Sequence, residues 1–424
     1  MENNKTNLIS ISKLTNTVKN ITPAKSKEDY LYLETSGIKE NIITNYLHDT
    51  PQKINDLPGR ARQPVSHNNI LFSGVRPKNR HFGVIKNPPD NLLSSTGFIH
   101  LIPNEDLVYS NYIYYFLTHE KVLKRLNSIA NASQSSYPSI NPIHVLELEL
   151  PNIPKSKQLE LFKNFEAIDE IIFNNLLMIE NLESLIQKLF FSWFIAFDQN
   201  NCTGVIKEEN QLKIMESLNF KNFSAKWEKV KIGKFIEFSK ESIEFDNSSE
   251  TLVDLYSLDA FSKNDKRPEV VTEASIDSLK YVLEGEYFLI SKLLNHKKSK
   301  YPIKIWRPHS RSPRRAVSSS EFLVVKQKNG KVNLLQYLWN FFQQEEFKKV
   351  LFNQRTGGNH KRISPDFINN LEIFLPTDLE ALEEFNNISK TFEILINSKL
   401  SMNDDLAVYK SLRIEQIFNE LIQS

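Results

Sequence analysis

The chain has 424 residues, one cysteine and 53 Lys plus Arg against 51 Asp plus Glu, a formal net charge of +2. With 40% hydrophobic and 25% charged residues it is an ordinary globular composition of roughly two to four domains, not a disordered polymer. No apolar run approaches the roughly 18 residues of a membrane span, Met1–Asn20 lacks the apolar region of a signal peptide, and Cys202 with scattered histidines offers neither an internal disulfide nor a zinc pattern, so a cytoplasmic protein without a metal scaffold is expected.

In chain order, the first feature is a basic segment. Between Leu57 and Pro89 there is no Asp or Glu, while Arg60, Arg62, Arg76, Lys78, Arg80 and Lys86 fall inside it. Arg interleaved with Asn, Gln, Ser and Tyr suits major-groove readout, because Arg bridges guanine O6 and N7 and Asn or Gln bridges adenine. Lysines suit phosphate neutralisation, which positions a protein without reading sequence. Taken singly, each of these residues is equally consistent with a solvated surface charge. At the end of the segment, Asn87-Pro88-Pro89-Asp90 resembles the Asn-Pro-Pro-aromatic motif of amino-methyltransferases, but aspartate cannot stack on a flipped base. With only 11 glycines and no glycine-rich strand-to-helix loop, it reads as a plain loop.

Next come a strand, Thr96-Gly97-Phe98-Ile99-His100-Leu101, an aromatic helix around Tyr112-Ile113-Tyr114-Tyr115-Phe116-Leu117, and Glu120–Leu126. A polar loop, Ala132–Pro142, follows, and an alternating strand, Leu146–Pro151, ends on proline. In the loop, Tyr137 and its serine neighbours either reach DNA or form a simple turn.

After Pro151 the period changes. Apolar residues return at steps of four and three through Leu161, Phe165, Ile168, Ile172, Asn175, Ile179, Leu182, Ile186 and Leu189, reaching Trp193. This is a heptad seam with one polar member, and an Asn at a coiled-coil core position costs stability but fixes register. As one helix, Lys155–Phe197 would be about 60 Å long at about 1.5 Å per residue. At its end Trp193 is read as a core residue or as part of a docking face. Phe190, Phe191, Phe194 and Phe197 together exceed what one seam can use, which predicts a second apolar face for another subunit. Gln199–Ser224 reads as a linker.

The same order then recurs at an offset of about 225 residues. A second acid-free segment, Tyr287–Ser320, holds Lys292, Lys297, Lys298, Lys300, Lys304, Arg307, Arg311, Arg314 and Arg315. Glu321–Val325, the aromatic helix Tyr337–Phe342, Glu345–Leu351, a polar loop with Lys361 and Arg362, and the strand Leu371–Pro376 repeat the earlier elements. A weaker seam closes the chain: Phe385, Ile388, Phe392, Leu395, then Lys399, Met402, Leu406 and Tyr409, and finally Ile414, Ile417 and Leu421. Both helical stretches are acidic, so the net charge of +2 is a cancellation between basic heads and acidic rods.

The expected fold is α+β: two pseudo-symmetric mixed α/β domains separated by two long helices that form an antiparallel coiled coil. The expected segments are 1–154 and 226–376 for the domains, 155–198 and 377–424 for the helices, and 199–225 for the linker. No catalytic constellation is found. Pro365-Asp366 lacks the Glu-x-Lys of a nuclease site, and the nine histidines form no H-x-x-x-H pair. A duplicated protein with two basic heads fits duplex DNA read at two half-sites. By themselves the residues leave open a stand-alone pseudo-dimeric DNA-binding regulator and a coiled-coil scaffold without DNA function, the latter disfavoured by the two basic segments.

The layout resembles the specificity (S) subunit of type I restriction-modification systems. The resemblance rests on Thr96-Gly97-Phe98, Tyr114-Tyr115-Phe116-Leu117, the Pro142 and Pro365 turns, Leu150-Pro151, Leu375-Pro376 and above all Leu189-Phe190-Phe191-Ser192-Trp193-Phe194, and it covers essentially the whole chain. It implies two target-recognition domains that read a split, asymmetric site on double-stranded DNA, and paired helices that set the spacing. It also implies two methyltransferase (M) subunits docked on the helices and restriction/translocase (R) subunits that join for cleavage. S-adenosylmethionine, ATP and magnesium would then belong to the partners, with no cofactor on this non-catalytic chain. One departure is the C-terminal helix, which ends Ile417-Phe418-Asn419-Glu420-Leu421 with no Ser-Trp-Phe counterpart.

Overall fold

The protein is described from a computed structural model, which covers residues 7–21, 29–43, 46–48, 50–132, 138–195, 227–245, 248–258, 268–276, 279–292, 305–306, 314–344, 347, 362–376 and 379–423. Helices and sheets are both extensive, an α+β architecture. Five helices carry most of the packing: α1 (Ser110–Thr118), α2 (Glu120–Ala132), α3 (Lys155–Phe190), α4 (Leu335–Gln343) and α5 (Glu380–Gln423). The chain divides into unit 1, Met1–Leu176 with Met402–Ser424, and unit 2, Leu177–Ser401. Each unit therefore takes part of α3 and part of α5.

The two units repeat one sheet topology. In unit 1 an antiparallel sheet runs Thr15–Thr17, Phe98–Pro103, Ile70–Ser73, Phe82–Val84, and in unit 2 the same order is Ile236–Ser239, Phe322–Gln327, Tyr287–Ser291, Ile305–Trp306. A second sheet runs Gln52–Lys53, Asp29–Leu33, Leu92–Ser95, Ala61–Pro64 in unit 1, with its one parallel pair placing Leu93 opposite Tyr32. Unit 2 matches it with Glu269–Thr272, Leu252–Tyr256, Ala316–Ser318, Lys280–Val282, places Val317 opposite Leu255 in its own parallel pair, and adds Ser242–Ile243 as an extra edge. Ile70–Ser73 and Leu92–Ser95 are buried at all four positions, so both faces of each strand are covered and neither shows the alternation of a one-sided strand.

A third pairing closes each head. Leu8–Ser10 runs antiparallel to Glu149–Pro151, and Trp227–Lys231 antiparallel to Glu372–Pro376. The strand expected over Leu146–Pro151 is shorter than its alternation suggests, because Leu146 ends a short helix, Pro142–Leu146, that starts on an Asn141/His144 capping box. Likewise Thr96 and Gly97 form the turn before Phe98–Pro103 rather than its first residues.

An aromatic contact fixes the helices to each head. In unit 1 the Tyr112 ring of α1 lies 5.3 Å from Phe162 of α3 and 5.7 Å from Phe418 of α5, and those two rings are 5.2 Å apart. The buried Tyr112 hydroxyl donates to the Pro151 carbonyl at 2.6 Å, which satisfies the one polar atom such a ring brings into a core. In unit 2 Tyr337 of α4 lies 5.1 Å from Phe190 of α3, which is 5.6 Å from Phe385 of α5. Beyond their buried area, such pairs contribute about 0.5–1.5 kcal/mol each.

This packing corrects the expected subunit interface. Phe190, Trp193 and Phe194 are 0%, 6% and 8% exposed and belong to the core of unit 2. A π-helical turn, Phe191–Ile195, ends the helix. Its wider winding departs from the heptad period of the seam, and consecutive rings at 193 and 194 are both buried. Phe191, 47% exposed, remains on the surface. Phe197 and the expected linker at 199–225 lie outside the described residues.

The α3 seam is buried or half-buried at every position from Leu161 to Leu189. It also buries Phe162 completely, a residue off the heptad that serves the head. The α5 seam corrects the sequence reading. Leu395, Met402 and Tyr409 are 46%, 43% and 57% exposed, while Ile396 and Asn403 are buried and Lys410 is half-buried. The seam lies one residue later because polar residues occupy it. Asn175 donates to the Asn403 side-chain oxygen at 2.7 Å, Asn403 donates to the Ile172 carbonyl at 3.3 Å, and Lys410 is paired with Asp169. Counting apolar residues selects Leu395, Met402 and Tyr409, and so passes over the polar Asn403 and Lys410 next to them.

Asn175→Ala strands the Asn403 side-chain oxygen in the seam and should lower the unfolding free energy by about 1–3 kcal/mol, read by chemical denaturation; replacing both by Leu should recover that loss while relaxing register. His100 is 4% exposed on its strand with Nε2 2.8 Å from the Asn69 side-chain oxygen, and burial pushes its pKa down to about 4. Its folded pKa lies below its unfolded value, so the contribution is complete above about pH 6.5 and is lost as pH falls towards 4. His100→Gln should flatten the pH dependence of stability in that window by on the order of 3 kcal/mol.

Candidate nucleic-acid interface

In unit 1 the basic segment is built around one loop. The strand Ile70–Ser73 ends in a short 3-10 turn, Pro77–Asn79, whose flanking residues Arg76 and Arg80 are both left-handed, at φ 48° and 58°. Non-glycine residues in this region carry a conformational cost and persist where surrounding contacts impose them. Here the contacts are visible. The Arg76 N–H donates to Pro138 O at 2.8 Å, Ile140 N–H to Gly74 O at 2.8 Å, and Arg80 N–H to Pro77 O at 3.0 Å. A side chain at Gly74 would come within 3.2 Å of Ile140 O, so glycine permits the close approach of the two loops. Two regions that the sequence nominated separately, the Arg76–Arg80 loop and the loop before Pro142, are therefore adjacent.

The side chains differ in availability. Arg60, Arg76 and Lys78 are exposed and Arg62 half-buried, with an Arg62 guanidinium N–H donating to Ala61 O at 2.8 Å. The Arg80 guanidinium lies 3.0 Å from Glu40 and 3.2 Å from Glu120. Lys86 pairs with Glu166 of α3 at 2.9 Å. Tyr137 lies outside the described residues.

Unit 2 places its basic segment at the same point of the repeat, after the strand Tyr287–Ser291. The loop-to-loop hydrogen bond recurs as well, Ile363 N–H donating to Lys292 O at 3.2 Å. Lys292 Nζ donates to Ser320 O at 2.7 Å and sits 5.3 Å from the Tyr281 ring centre. Burial, and after it the charges of Arg362 and Lys240, push the Lys292 ammonium below its usual pKa. Arg362 is exposed. These three cations form a positive cluster that sequence reading found only in part, since Lys240 lies outside the acid-free segment. Arg314 Nε is 2.7 Å from the buried Asp254 carboxylate, and Arg315 is 4.0 Å from Glu273, so both face acids of their own unit. Lys297, Lys298, Lys300, Lys304, Arg307, Arg311 and Lys361 lie outside the described residues.

The motifs set aside in the sequence have structural roles. Asn87 is a left-handed loop residue whose N–H donates to His67 Nδ1 at 3.1 Å. Pro365-Asp366 opens a helix, Pro365–Asn370, capped by the Ser364 hydroxyl, which accepts from the Phe367 N–H at 3.1 Å. Among the described residues no group of three or more His, Cys, Asp or Glu side chains is placed to hold a metal ion, and no helix is long and apolar enough to cross a membrane.

No protein-family model matches the chain. Over 198 residues, 45% of the chain, it is 28% identical to 42% of the type I restriction enzyme HindI specificity subunit of Haemophilus influenzae. Over 178 residues, 42% of the chain, it is 28% identical to 37% of the type I restriction enzyme MjaIX specificity subunit of Methanocaldococcus jannaschii. The matched stretch spans less than half the length of either relative. Among solved structures, the type I restriction-modification system S subunit from M. genitalium aligns over 99% of this chain and 98% of its own, with a TM-score of 0.50 at 14% identity, a likeness of fold. In sequence this chain is similar, over less than half its length, to type I restriction enzyme specificity subunits, and its fold is similar to that of the M. genitalium S subunit.

Proposed function

We propose that the chain is the DNA sequence-specificity subunit of a type I restriction-modification complex, and that it confers specificity without catalysing a reaction. The observation that carries this reading is the duplication: one sheet topology occurs twice, with a basic segment after the same strand each time. Two similar basic heads suit a split site on duplex DNA, with lysines against phosphates and Arg, Asn and Gln at base edges. On this reading the target-recognition domains are 1–154 and 226–376, and the helical segments 155–198 and 377–424 pair as an antiparallel coiled coil that sets the distance between half-sites. Two M subunits dock on the helices and R subunits join them, within the cytoplasm. Adenine methylation with S-adenosylmethionine and ATP-dependent cleavage with magnesium then take place on those partners.

Co-expression with a cognate M subunit, followed by mapping of methylated adenines, tests the proposal. The expected result is a split motif methylated on both strands; a continuous motif, or none, overturns it. Insertion of one heptad in each helix adds about 10 Å at roughly 1.5 Å per residue, and the unspecified spacer should grow by about 3 base pairs at about 3.4 Å each.

A further inference from the structure

The Arg76–Arg80 loop does not stand alone. A two-residue hairpin, Ile38–Lys39 paired with Ile42–Ile43, turns at Glu40 and Asn41, both left-handed at φ 46° and 73°. This is the geometry of a type I′ turn, which normally takes Asn-Gly. A glutamate there is costly, and the surrounding contacts hold it. The Glu40 N–H donates to Arg80 O at 3.2 Å and the Asn41 N–H to Phe82 O at 3.1 Å. The Asn41 side chain accepts from Val84 N–H at 2.8 Å and donates to Asp169 of α3 at 2.9 Å. Asp169 also accepts from the Tyr115 hydroxyl at 3.2 Å and pairs with Lys410 of α5. The turn sits directly on Gly83, where an added Cβ would meet Ile38 Cδ1 at 2.7 Å and Asn41 Cα at 3.0 Å.

Arg80 is the other end of this chain of contacts. It faces Glu40 and Glu120, and Glu120 lies 3.9 Å from Lys124. Two cations and two carboxylates sum to zero, so the cluster offers a phosphate no net attraction. Part-exposed pairs of this kind contribute little to stability, but they decide where a guanidinium points.

We propose that Arg80, Glu40 and Asn41 are positioning residues that aim the Arg76–Lys78 face of the loop from the helices α3 and α5, and that Arg80 itself does not contact DNA. This rests on the DNA-recognition reading above and assigns a different role to a residue which the sequence alone would count among the contacts.

The test uses the chain co-expressed with its M subunits, and a duplex carrying the motif that methylation mapping identifies. Binding is measured across a salt series. Lys78→Ala removes a phosphate contact, so its slope of log K against log salt should fall by about 0.9. Arg80→Gln and Glu40→Gln should each weaken binding by about tenfold, within the range of a misaimed recognition group, with the wild-type slope retained. Asn41→Gly keeps a turn that favours glycine and should behave like Glu40→Gln. A slope for Arg80→Gln reduced like that of Lys78→Ala, or wild-type affinity in Glu40→Gln, overturns the proposal. Amide hydrogen exchange at Arg76–Arg80, measured without DNA, should quicken in Glu40→Gln and Asn41→Gly, and unchanged exchange also overturns it. Because exchange needs no DNA, a wild-type complex that fails to bind the duplex would count against the functional reading, while exchange still decides whether Glu40 and Asn41 hold the loop.

Discussion

The structure depends on how each head grips the helices. In both units a tyrosine from the aromatic helix joins an aromatic cluster with a phenylalanine from α3 and one from α5: Tyr112, Phe162 and Phe418 are in mutual contact, and Phe190 touches both Tyr337 and Phe385. All of these rings are essentially buried. A ring of this size cannot be left in water without a large loss of apolar burial, so in each unit the aromatic helix, the sheet beside it and the long helices share one core cluster. Near each contact polar groups set the orientation. In unit 1 they are charged, with Asp169 and Lys410 paired and Glu166 facing Lys86. In unit 2 they are mostly amides and hydroxyls, with Gln187 donating to Asn340 at 2.6 Å and Ser389 to Gln336 at 2.8 Å. The apolar part of the grip is repeated and the polar part is not.

The buried polar seam follows a similar logic. Asn175 opposite Asn403 satisfies an amide that would otherwise be a substantial penalty, and Lys410 opposite Asp169 does the same for a charge. Such pairs contribute less to stability than leucines would, but a one-residue slip would leave each of them without its partner. They therefore specify register in helices whose apolar pattern alone permits more than one. The exposed Leu395, Met402 and Tyr409 form a second heptad stripe on α5, and only the polar pairs distinguish the buried stripe from it.

Much of the fold was legible in the chain. The repeat, the two basic segments, the α3 seam and Asn175 each depend on local pattern or on a comparison of two segments of one sequence. The π turn at Phe191–Ile195 is not legible, because it breaks the period used to read the helix, and so the surplus of phenylalanines predicts a partner's interface while Phe190 and Phe194, with Trp193, fill the core of unit 2. Lys240, Glu40 and Asn41 were missed for another reason: none lies within a basic run or a motif, and each matters only through a neighbour distant in sequence.

The sequence by itself determined that the chain is written twice, that its near-neutral charge is segregated, and that a long heptad helix with one polar core residue follows the first copy. These properties are carried by spacing along the chain, which folding does not alter. The tertiary structure decided which cations remain outward and which are held by acids, which of two α5 stripes is buried, and which rings belong to the core. Each of those outcomes depends on pairs such as Arg80 with Glu40, Arg314 with Asp254 and Asn175 with Asn403. The energy of such a pair exists only once the fold has brought its two members within hydrogen-bonding distance.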